Sequence, residues 1–563
     1  MPSDIPPSGP NAVPGHGNWA AELLPVIEGS TAVDGFADYC SGQEPEKLRG
    51  RYQALLPATP PGPGEQYAFE VDLDRCSGCK SCVVACHALN GLDEQESWRE
   101  VGLLVGGGPD LPVLQHVTTA CHHCLEPACQ AACPVNAYQK DPGTGIVIHL
   151  DDQCFGCRYC TLACPYDVPK YHAAKGIVRK CDMCRTRLLA GEAPACVQAC
   201  PHQAIRIRVV AADQIREAYE THTFLPGTPD PQLTEPTTVY TSRKVFPRNM
   251  LPADYYHLRP AEAHWPLVIM LILTQMSVGT LLTGQLLQRE WGVEDWQRLA
   301  AWPATWSLLM GLVALAASTL HLGRPWLCFR AVLGLSHSWL SREIVAFGMF
   351  ALLALVHAAA TWGGLASYPL WLGRLAGTMA TCVGLAAVVS SAMVYAATKR
   401  ALWNGPSTVA RFLLSTLLLG SVTTWWLTEV SVSITQEPPQ AVLTSGRRML
   451  ATATISLTGL KLLYELSLLR YLRQPHQSAL KRSAQLLIGP LGDTMLMRLA
   501  CGVAGGLLLP ALTIETALLE ELGPWRLLPL TALLMATVSG EIFERYLFFT
   551  TCVVRRMPGA VQS

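Results

Sequence analysis

The sequence predicts an α+β domain organised around four groups of cysteines, followed by an all-α bundle of eight transmembrane helices. Two observations carry this prediction. Sixteen of the 21 cysteines lie between Cys76 and Cys200, in four compact groups. Beyond about residue 262 the chain turns apolar, in runs of the length that a membrane-spanning helix needs. At 563 residues the chain is long enough for two or more domains.

The cysteine groups predict iron–sulfur clusters. They read CSGCKSCVVAC, CHHCLEPACQAAC, CFGCRYCTLAC and CDMC…CVQAC. The first and third carry the C-x2-C-x2-C-x3-C run of bacterial ferredoxins, in which the fourth cysteine ligates the other cluster of a pair. We therefore expect a double bacterial-ferredoxin-like domain with four [4Fe–4S] clusters. The predicted iron ligands are Cys76, Cys79, Cys82, Cys86, Cys121, Cys124, Cys129, Cys133, Cys154, Cys157, Cys160, Cys164, Cys181, Cys184, Cys196 and Cys200.

Zinc sites and disulfides are the alternatives for these cysteines. A zinc site takes two short pairs separated by a spacer, and needs neither the third cysteine nor the fourth. Adjacent thiols of a C-x2-C turn favour metal ligation over a structural bridge. The spacing therefore favours clusters. The isolated cysteines are interpreted as small buried hydrophobes: Cys40, Cys328, Cys382, Cys501 and Cys552.

Composition divides the chain into five segments. Residues 1–65 are interpreted as an N-terminal arm whose scattered apolar side chains could dock on a partner. The cluster domain is expected at 66–210, with strands at QYAFEVDL, GIVIHL and AIRIRVV. A proline-rich connector at 211–262, the membrane part at 263–553 and a tail at 554–563 complete the chain.

Eight apolar runs are each about 20 residues long, the length that spans a bilayer as a helix. Eight such runs in 300 residues make buried helices of a soluble protein an improbable explanation. The predicted spans are 265–287, 304–323, 343–363, 374–397, 408–428, 449–469, 496–517 and 526–550.

The distribution of positive charge predicts the orientation in the membrane. With eight spans, the loops on the side of the cluster domain carry twelve Lys and Arg residues, against six on the other side. Positive charge favours the cytoplasmic side, so the cluster domain is expected there. The first residues show no secretory signal, which agrees. A formal net charge of −1 disfavours nucleic acid as a partner.

The cysteine motifs and four shorter motifs resemble one family of complexes. CSGCKSCVVAC, HHCLEPACQAACP, GCRYCTLACPYDVPKY and KCDMC are similar to the iron–sulfur subunit of dimethyl-sulfoxide-reductase-type molybdoenzymes. HWPL at 264–267, LHLGRP at 320–325, SREI at 341–344 and GEIFER at 540–545 resemble the anchor subunit of the same complexes. The chain therefore resembles a fusion of two subunits. The resemblance implies the inner membrane of a prokaryote and a separate catalytic partner that alone carries the molybdopterin (bis-pterin Mo or W).

The resemblance also implies how the cysteines pair. With no cysteine replaced, it implies four cubane clusters. The implied ligand sets, numbered 1 to 4, are Cys76, Cys79, Cys82 and Cys200; Cys86, Cys181, Cys184 and Cys196; Cys121, Cys124, Cys129 and Cys164; and Cys133, Cys154, Cys157 and Cys160.

A quinone, either menaquinone or ubiquinone, is the expected exchange partner within the lipid. Its site needs an apolar slot and a titratable hydrogen-bonding group near the last cluster. His321, at the end of the second span, is the leading candidate, because imidazole titrates near neutrality and the resemblance implies a quinol ligand at this position. Glu343 is the next candidate, since it begins the third span on the same side. The alternative interpretation of His321 is a histidine at the membrane interface, and that of Glu343 is a charge near the N-terminus of a helix.

Glu541 and Arg545 are weaker candidates for the quinone site. They lie i and i+4 in the last span, so they share a helix face and could pair. A structural ion pair within the membrane is the alternative interpretation.

The expected function is electron transfer and membrane anchoring between quinone and the catalytic partner. The predicted topology slightly favours a cytoplasm-facing sulfite:quinone oxidoreductase. The alternatives are a quinol-oxidising subunit of a terminal sulfoxide reductase and a formate- or hydrogen-linked quinone module. A membrane scaffold with purely structural clusters is a rival from another class.

Overall fold

The computed structural model describes residues 55–94, 96–220, 224–291, 299–362, 370–435, 440–514 and 523–559. The chain divides into two compact units, Met1–Thr59 and Pro60–Ser563. The larger unit contains both the cysteine groups and the apolar helices. Most of the predicted N-terminal arm, residues 1–54, lies outside the described residues.

The cysteine-rich part is built from short strands and short helices. β1 lies between β8, its antiparallel partner, and β9, its parallel partner. β2 pairs antiparallel with β3 and with β10, and β4–β5 and β6–β7 are hairpins. The strands are β1 (Glu65–Asp72), β2 (Glu100–Gly108), β3 (Leu111–Thr119), β4 (Tyr138–Lys140), β5 (Val147–His149), β6 (Lys170–His172), β7 (Ile177–Arg179), β8 (Ile205–Ala211), β9 (Val239–Thr241) and β10 (Leu251–Pro252). The helices are α1 (Ser81–Asn90), α2 (Ala128–Ala132), α3 (Tyr159–Ala163), α4 (Arg185–Leu189), α5 (Ala195–Gln198) and α6 (Ala212–Glu220).

The three strands that the sequence predicts are present as β1, β5 and β8. The hairpin of β2 and β3 was not predicted. Its first strand ends in three glycines, Gly106–Gly108, and glycine weakens the local strand signal. Pairing along the full length of both strands holds this hairpin together instead.

Long helices make up the rest of the described chain. A short helix, Ala479–Ile488, lies between the sixth and the seventh long helix. The seventh is made of Gly492–Val503, a π-helical segment at Ala504–Leu508 and Leu509–Thr513. The helices are α7 (Trp265–Trp291), α8 (Ala301–Thr319), α9 (Trp339–Thr361), α10 (Leu370–Ala396), α11 (Gly405–Thr435), α12 (Gln440–Ser467), α13 (Ala479–Ile488), α14 (Gly492–Val503), α15 (Leu509–Thr513) and α16 (Leu527–Thr550).

Within the described residues, seven helices are long and apolar enough to cross a membrane. The predicted span at 449–469 is present as α12, which has 28 residues but does not meet that criterion. The reason is charge: Arg447, Arg448, Lys461 and Glu465 interrupt its apolar sequence. Arg447 and Lys461 are buried inside the bundle, where partners on other helices compensate them. The predicted fold class, a ferredoxin-like domain followed by a helical membrane bundle, is confirmed.

The cluster domain sits on the side of the bundle where α8 ends and α9 begins. The contacts that place it there include a hydrogen bond from Arg400, ahead of α11, to the carbonyl of Leu162 at 2.9 Å. The hydroxyl of Tyr159 donates to the carbonyl of Val394, near the end of α10, at 2.8 Å. Arg411 and Arg447, which are among the charges in the count of loop residues, form ion pairs within helices instead. They belong to opposite sides, so the charge bias survives their removal.

Candidate functional site

The loops of the first and third cysteine groups have the same backbone conformation. Gly78 and Gly156 have φ of 76° and 73°, and Lys80 and Arg158 have φ of 62° and 59°. These left-handed residues wind the C-x2-C-x2-C stretch into a tight loop, and glycine takes the first such position without strain. The helix after each loop carries the third cysteine on its first turn.

In each of the four implied sets, one thiol lies close enough to other thiols of the same set for their charges to interact. Burial raises the pKa of Cys76, and the nearby thiols of its own set add to the rise. Burial likewise raises the pKa of Cys86 to about 12, with Cys196 as the next contribution. The pKa of Cys129 rises through burial and the neighbouring thiols of set 3, and that of Cys157 through burial and the thiols of set 4.

The arrangement fits cubane clusters. Every cysteine in the described part of the chain is a free thiol. No three or more Cys, His, Asp or Glu side chains among the described residues come close enough to hold one metal ion. Each iron of a cubane takes a single cysteine, so its four thiolates stand farther apart than the four ligands around one zinc ion.

Neighbouring sets lie in sequence through the domain. Cys196 of set 2 lies close enough to Cys82 of set 1 to raise its pKa, although burial is the main cause. Cys121 of set 3 likewise lies close enough to Cys181 of set 2 to raise its pKa, again with burial as the main cause. Tyr138 is buried between set 3 and set 4, with thiols of both sets nearby. The order is therefore set 1, set 2, set 3, set 4.

Two buried cations accompany this row. The guanidinium of Arg99 lies near thiols of sets 1 and 2 and donates to the hydroxyl of Thr118 at 3.1 Å. The ammonium of Lys180 lies near thiols of sets 2 and 3 and donates to the carbonyl of Cys181 at 2.8 Å. Both cations face positions where a cluster would carry negative charge.

Set 4 lies against the membrane helices. LHLGRP, the stretch that follows α8, lies directly on the third cysteine loop. The backbone N–H of Arg324 donates to the carbonyl of Phe155 at 3.0 Å, and its side chain donates to the carbonyl of Asp151 at 2.9 Å. A Cβ on Gly323 would come within 2.1 Å of the carbonyl oxygen of Gly176, so only glycine allows this approach. Arg324 thus joins the membrane part to the third cysteine loop.

His321 of this stretch contacts the backbone of set 4. Its Nε2 lies 3.2 Å from the carbonyl oxygen of Cys157. Because a carbonyl only accepts, Nε2 carries the proton and Nδ1 keeps its lone pair. The ring of His264 lies edge-on at 5.2 Å between centroids. Burial, with His264 and Arg158 nearby, lowers the pKa of His321 to about 4.

The surface beside His321 is apolar. Leu320, Trp326 and Phe329 are all more than 60% exposed, the last two on the 3-10 helix Pro325–Gly334. Exposed side chains of this size next to a helix end are typical of a surface that faces lipid.

His337 makes a second contact between the membrane part and the backbone of set 4. Its Nε2 lies 3.0 Å from the carbonyl oxygen of Cys133, and its Nδ1 contacts the hydroxyl of Ser336 at 3.2 Å. The hydroxyl of Ser338 donates to the carbonyl of Ala132 at 2.7 Å. A cleft of about 1070 Å³ opens beside His337. Sequence reasoning missed His337, although its place just ahead of the third span was a usable signal.

Glu343 is buried in the first turns of α9 and makes no contact with His321 in the described structure. It lies close to Tyr159, in the third cysteine loop, and adds to the rise that burial causes in the pKa of that tyrosine. His321 and Glu343 therefore approach the same loop at different residues, Cys157 and Tyr159.

The proposed pairing of Glu541 with Arg545 is not found. Glu541 lies 2.5 Å from the ammonium of Lys461 and 3.2 Å from Arg498. Arg545 lies 3.5 Å from Glu544. The i,i+4 relation put both groups on one face, but Glu541 finds closer partners on two other helices and Arg545 pairs with its neighbour Glu544. Neither residue contacts the docking loops among the described residues.

Together, the fold and the site define a membrane-anchored iron–sulfur protein of electron transport. Residues 261–550 match the model of the DMSO reductase anchor subunit family, and residues 113–210 match a 4Fe-4S dicluster domain. The B subunit of the anaerobic dimethyl sulfoxide reductase of Haemophilus influenzae is 36% identical over 189 residues, which are 32% of this chain and 91% of that protein. Its Escherichia coli K12 counterpart is 35% identical over 182 residues, 31% of this chain and 87% of that protein.

A more distant relative is "Hydrogenase-2 operon protein HybA" of Escherichia coli O157:H7, 34% identical over 172 residues, 26% of this chain and 52% of that protein. The anchor model covers more than half of the chain. The chain belongs to the DMSO reductase anchor subunit family, and it carries an iron–sulfur subunit of the same complexes in the same polypeptide. It is an electron-transfer and anchor subunit and a multi-pass membrane protein.

Proposed function

We propose that this chain passes electrons between a membrane quinone pool and a separate molybdopterin catalytic subunit. One observation carries the proposal: His321, at a lipid-facing helix end, hydrogen-bonds the carbonyl of Cys157 in set 4. A quinone held by this imidazole would lie within a few bonds of a cluster ligand. The sixteen cysteines would hold four [4Fe–4S] clusters, which pass one electron at a time.

In this site His321 would hold the quinol in position through a hydrogen bond. Its Nε2–H is committed to the carbonyl of Cys157, so Nδ1 is the atom left to accept a hydrogen bond from a quinol hydroxyl. Leu320, Trp326 and Phe329 would receive the isoprenoid tail of menaquinone or ubiquinone. Glu343 approaches the same loop from α9 and would serve the second quinone oxygen.

The other end of the row is where the catalytic partner would dock. Cys79 of set 1 is exposed, whereas Cys154 and Cys160 of set 4 are buried. Exposed Val84 and Leu89 on α1 lie next to set 1 and provide an apolar contact surface. With quinone at set 4 and the partner at set 1, electrons would pass through all four sets.

The test of this function is the rate at which a quinol analogue reduces the clusters. His321→Ala should slow reduction by about tenfold to a hundredfold, the effect of losing a hydrogen bond of about 1.5–3 kcal/mol. The EPR spectrum of the dithionite-reduced clusters should stay unchanged. His337→Ala is the matched control, because it removes the other imidazole that contacts a set 4 carbonyl. Unchanged kinetics in His321→Ala would refute the assignment.

For the partner's substrate we propose sulfite, in a cytoplasm-facing sulfite:quinone oxidoreductase. The excess of positive charge on the side of the cluster domain supports this. The names of the relatives support a sulfoxide reductase instead, and the hydrogenase relative supports a hydrogen-linked module. Assays of the purified complex distinguish the three. Reduction of quinone by sulfite supports the sulfite:quinone oxidoreductase, and reduction of dimethyl sulfoxide by quinol supports the sulfoxide reductase. A hydrogenase large subunit in the complex supports the hydrogen-linked module.

A further inference from the structure

The membrane bundle contains a buried network of charged side chains on the side of the cluster domain. Its seven members lie on α11, α12, α14 and α16, and five of them are at most 2% exposed. Charges within a membrane are costly, and their retention makes them candidates for a functional role. The members are Arg411, Lys461, Glu465, Arg498, Glu541, Glu544 and Arg545.

Hydrogen bonds join these side chains into one continuous chain. Arg498 contacts Glu465 at 2.8 Å and Glu541 at 3.2 Å. The ammonium of Lys461 contacts Glu541 at 2.5 Å and the hydroxyl of Ser415 at 2.6 Å.

The same hydroxyl joins the second half of the network. The Nη2 atom of Arg545 lies 3.4 Å from the Ser415 oxygen and 3.5 Å from Glu544. Glu544 in turn contacts Arg411 at 2.6 Å. Polar contacts therefore run unbroken from Glu465 to Arg411.

Both ends of the network, Glu465 and Arg411, meet one cavity. This cavity of about 250 Å³ lies between the start of α11, the end of α12 and the end of α16. Arg411, Glu465 and Glu544 line it, beside Tyr464 and several leucines. These helix ends are on the side of the cluster domain, so the cavity gives the carboxylates of the network access to water on that side.

Arg545, an interior member of the network, approaches the proposed quinone site. The guanidinium of Arg545 lies over the ring of Phe412 at 4.1 Å and over that of Phe548 at 5.3 Å. Tyr395 packs on the same two rings, at 6.0 and 5.3 Å between centroids. Tyr395 is also near enough to Glu343, Arg545 and Tyr159 to interact electrostatically with each.

Several polar atoms along this route have no hydrogen-bond partner among the described residues. They are Nε and Nη1 of Arg545, Nε2 of Gln275 and Oε1 of Glu343, on side chains at most 5% exposed. Gln275 already accepts a hydrogen bond from Arg545 at 3.1 Å. Buried polar atoms of this kind are normally satisfied by ordered water.

We propose that Glu544, Arg545, Tyr395 and Glu343 line a proton path between the cavity and the quinone site. The proposal rests on the proposed function. Each quinol that gives two electrons to the clusters also releases two protons, and each quinone reduced takes up two. Arg545 stays charged and holds the route in place. The carboxylates, the tyrosine hydroxyl and bound water exchange the protons.

Tyr395→Phe is the deciding variant, because it removes one hydroxyl and keeps the ring packed on Phe412 and Phe548. We expect quinone turnover to fall by about tenfold, with a larger solvent isotope effect. Affinity for a non-reactive quinone analogue and the cluster spectra should stay unchanged. Tyr546→Phe is the control, since Tyr546 packs on Trp265 and lies off the route. A normal rate and isotope effect in Tyr395→Phe would overturn the proposal.

A second pair of variants tests the mouth of the path. Glu544→Gln with Arg411→Met removes one charge of each sign, so the net charge of the network is unchanged. Arg545 loses a carboxylate neighbour but keeps its contacts with Gln275 and Ser415, and unchanged cluster spectra check that the variant folds. It should slow turnover as Tyr395→Phe does. The matched control is Glu429→Gln with Arg447→Met, an equally buried pair on α11 and α12 near the opposite face. If both pairs slow turnover equally, the path does not end at the cavity.

Failure of the inference differs from failure of the function. A wild-type protein whose clusters no quinol reduces contradicts the proposed function. A wild-type protein with normal quinone kinetics, alongside normal kinetics in Tyr395→Phe, contradicts only the proton path.

Discussion

Sets 1 and 4 are built on the same cysteine run, yet their surroundings are opposite. The loop of the first cysteine group leaves Cys79 exposed. The third loop is covered by LHLGRP, and two of its neighbouring carbonyls, those of Cys133 and Cys157, contact histidines of the membrane part. Identical local motifs thus acquire different roles from the parts of the molecule that cover them. The exposed end suits a protein partner, and the covered end suits a lipid-soluble one.

Undocking set 4 should give the largest effect. Gly323→Val places side-chain atoms against the carbonyl of Gly176, where even a Cβ would lie at 2.1 Å. We expect reduction of the clusters by quinol to fall by about a hundredfold or more, with cluster content retained, because two domains must move apart. Rapid-mixing absorbance measures it. Gly348→Val is the control, since a Cβ there meets nothing within 4 Å.

The difference in exposure predicts an order of cluster loss. An iron chelator should remove the cluster of set 1 about tenfold faster than that of set 4, because Cys79 is exposed and Cys154 and Cys160 are buried. EPR spectra taken during chelation follow each cluster. Loss of set 4 first, or of all four together, would contradict the contrast.

A smaller effect is expected at Arg99, near sets 1 and 2. A buried cation stabilises the electron added to a cluster, so Arg99→Met should lower the midpoint potential of a nearby cluster. A shift of roughly 60 mV corresponds to a tenfold change for one electron. Redox titration followed by EPR measures it, with Arg448→Met as an exposed control on the opposite side of the bundle. Equal shifts in all clusters would mean that the cation does not distinguish the two ends.

Sequence alone predicted the local part of the site and missed the tertiary part. The cysteine loops could be predicted because their ligands lie within a few residues of one another. His321 could be predicted because it belongs to a short motif at a helix end. The partners of Glu541 were not, since Lys461 and Arg498 lie on other helices, and the i,i+4 rule offered Arg545 instead. The hairpin of β2 and β3 was hidden by glycines, whose strand conformation depends on the pairing.

The most direct test of the account is EPR of the clusters with and without a bound, non-reactive quinone analogue. The account predicts that the analogue perturbs the signal of one cluster, that of set 4. This perturbation should vanish in His321→Ala and persist in His337→Ala. A perturbation that persists in His321→Ala and vanishes in His337→Ala would move the quinone to the cleft beside His337 and contradict the account.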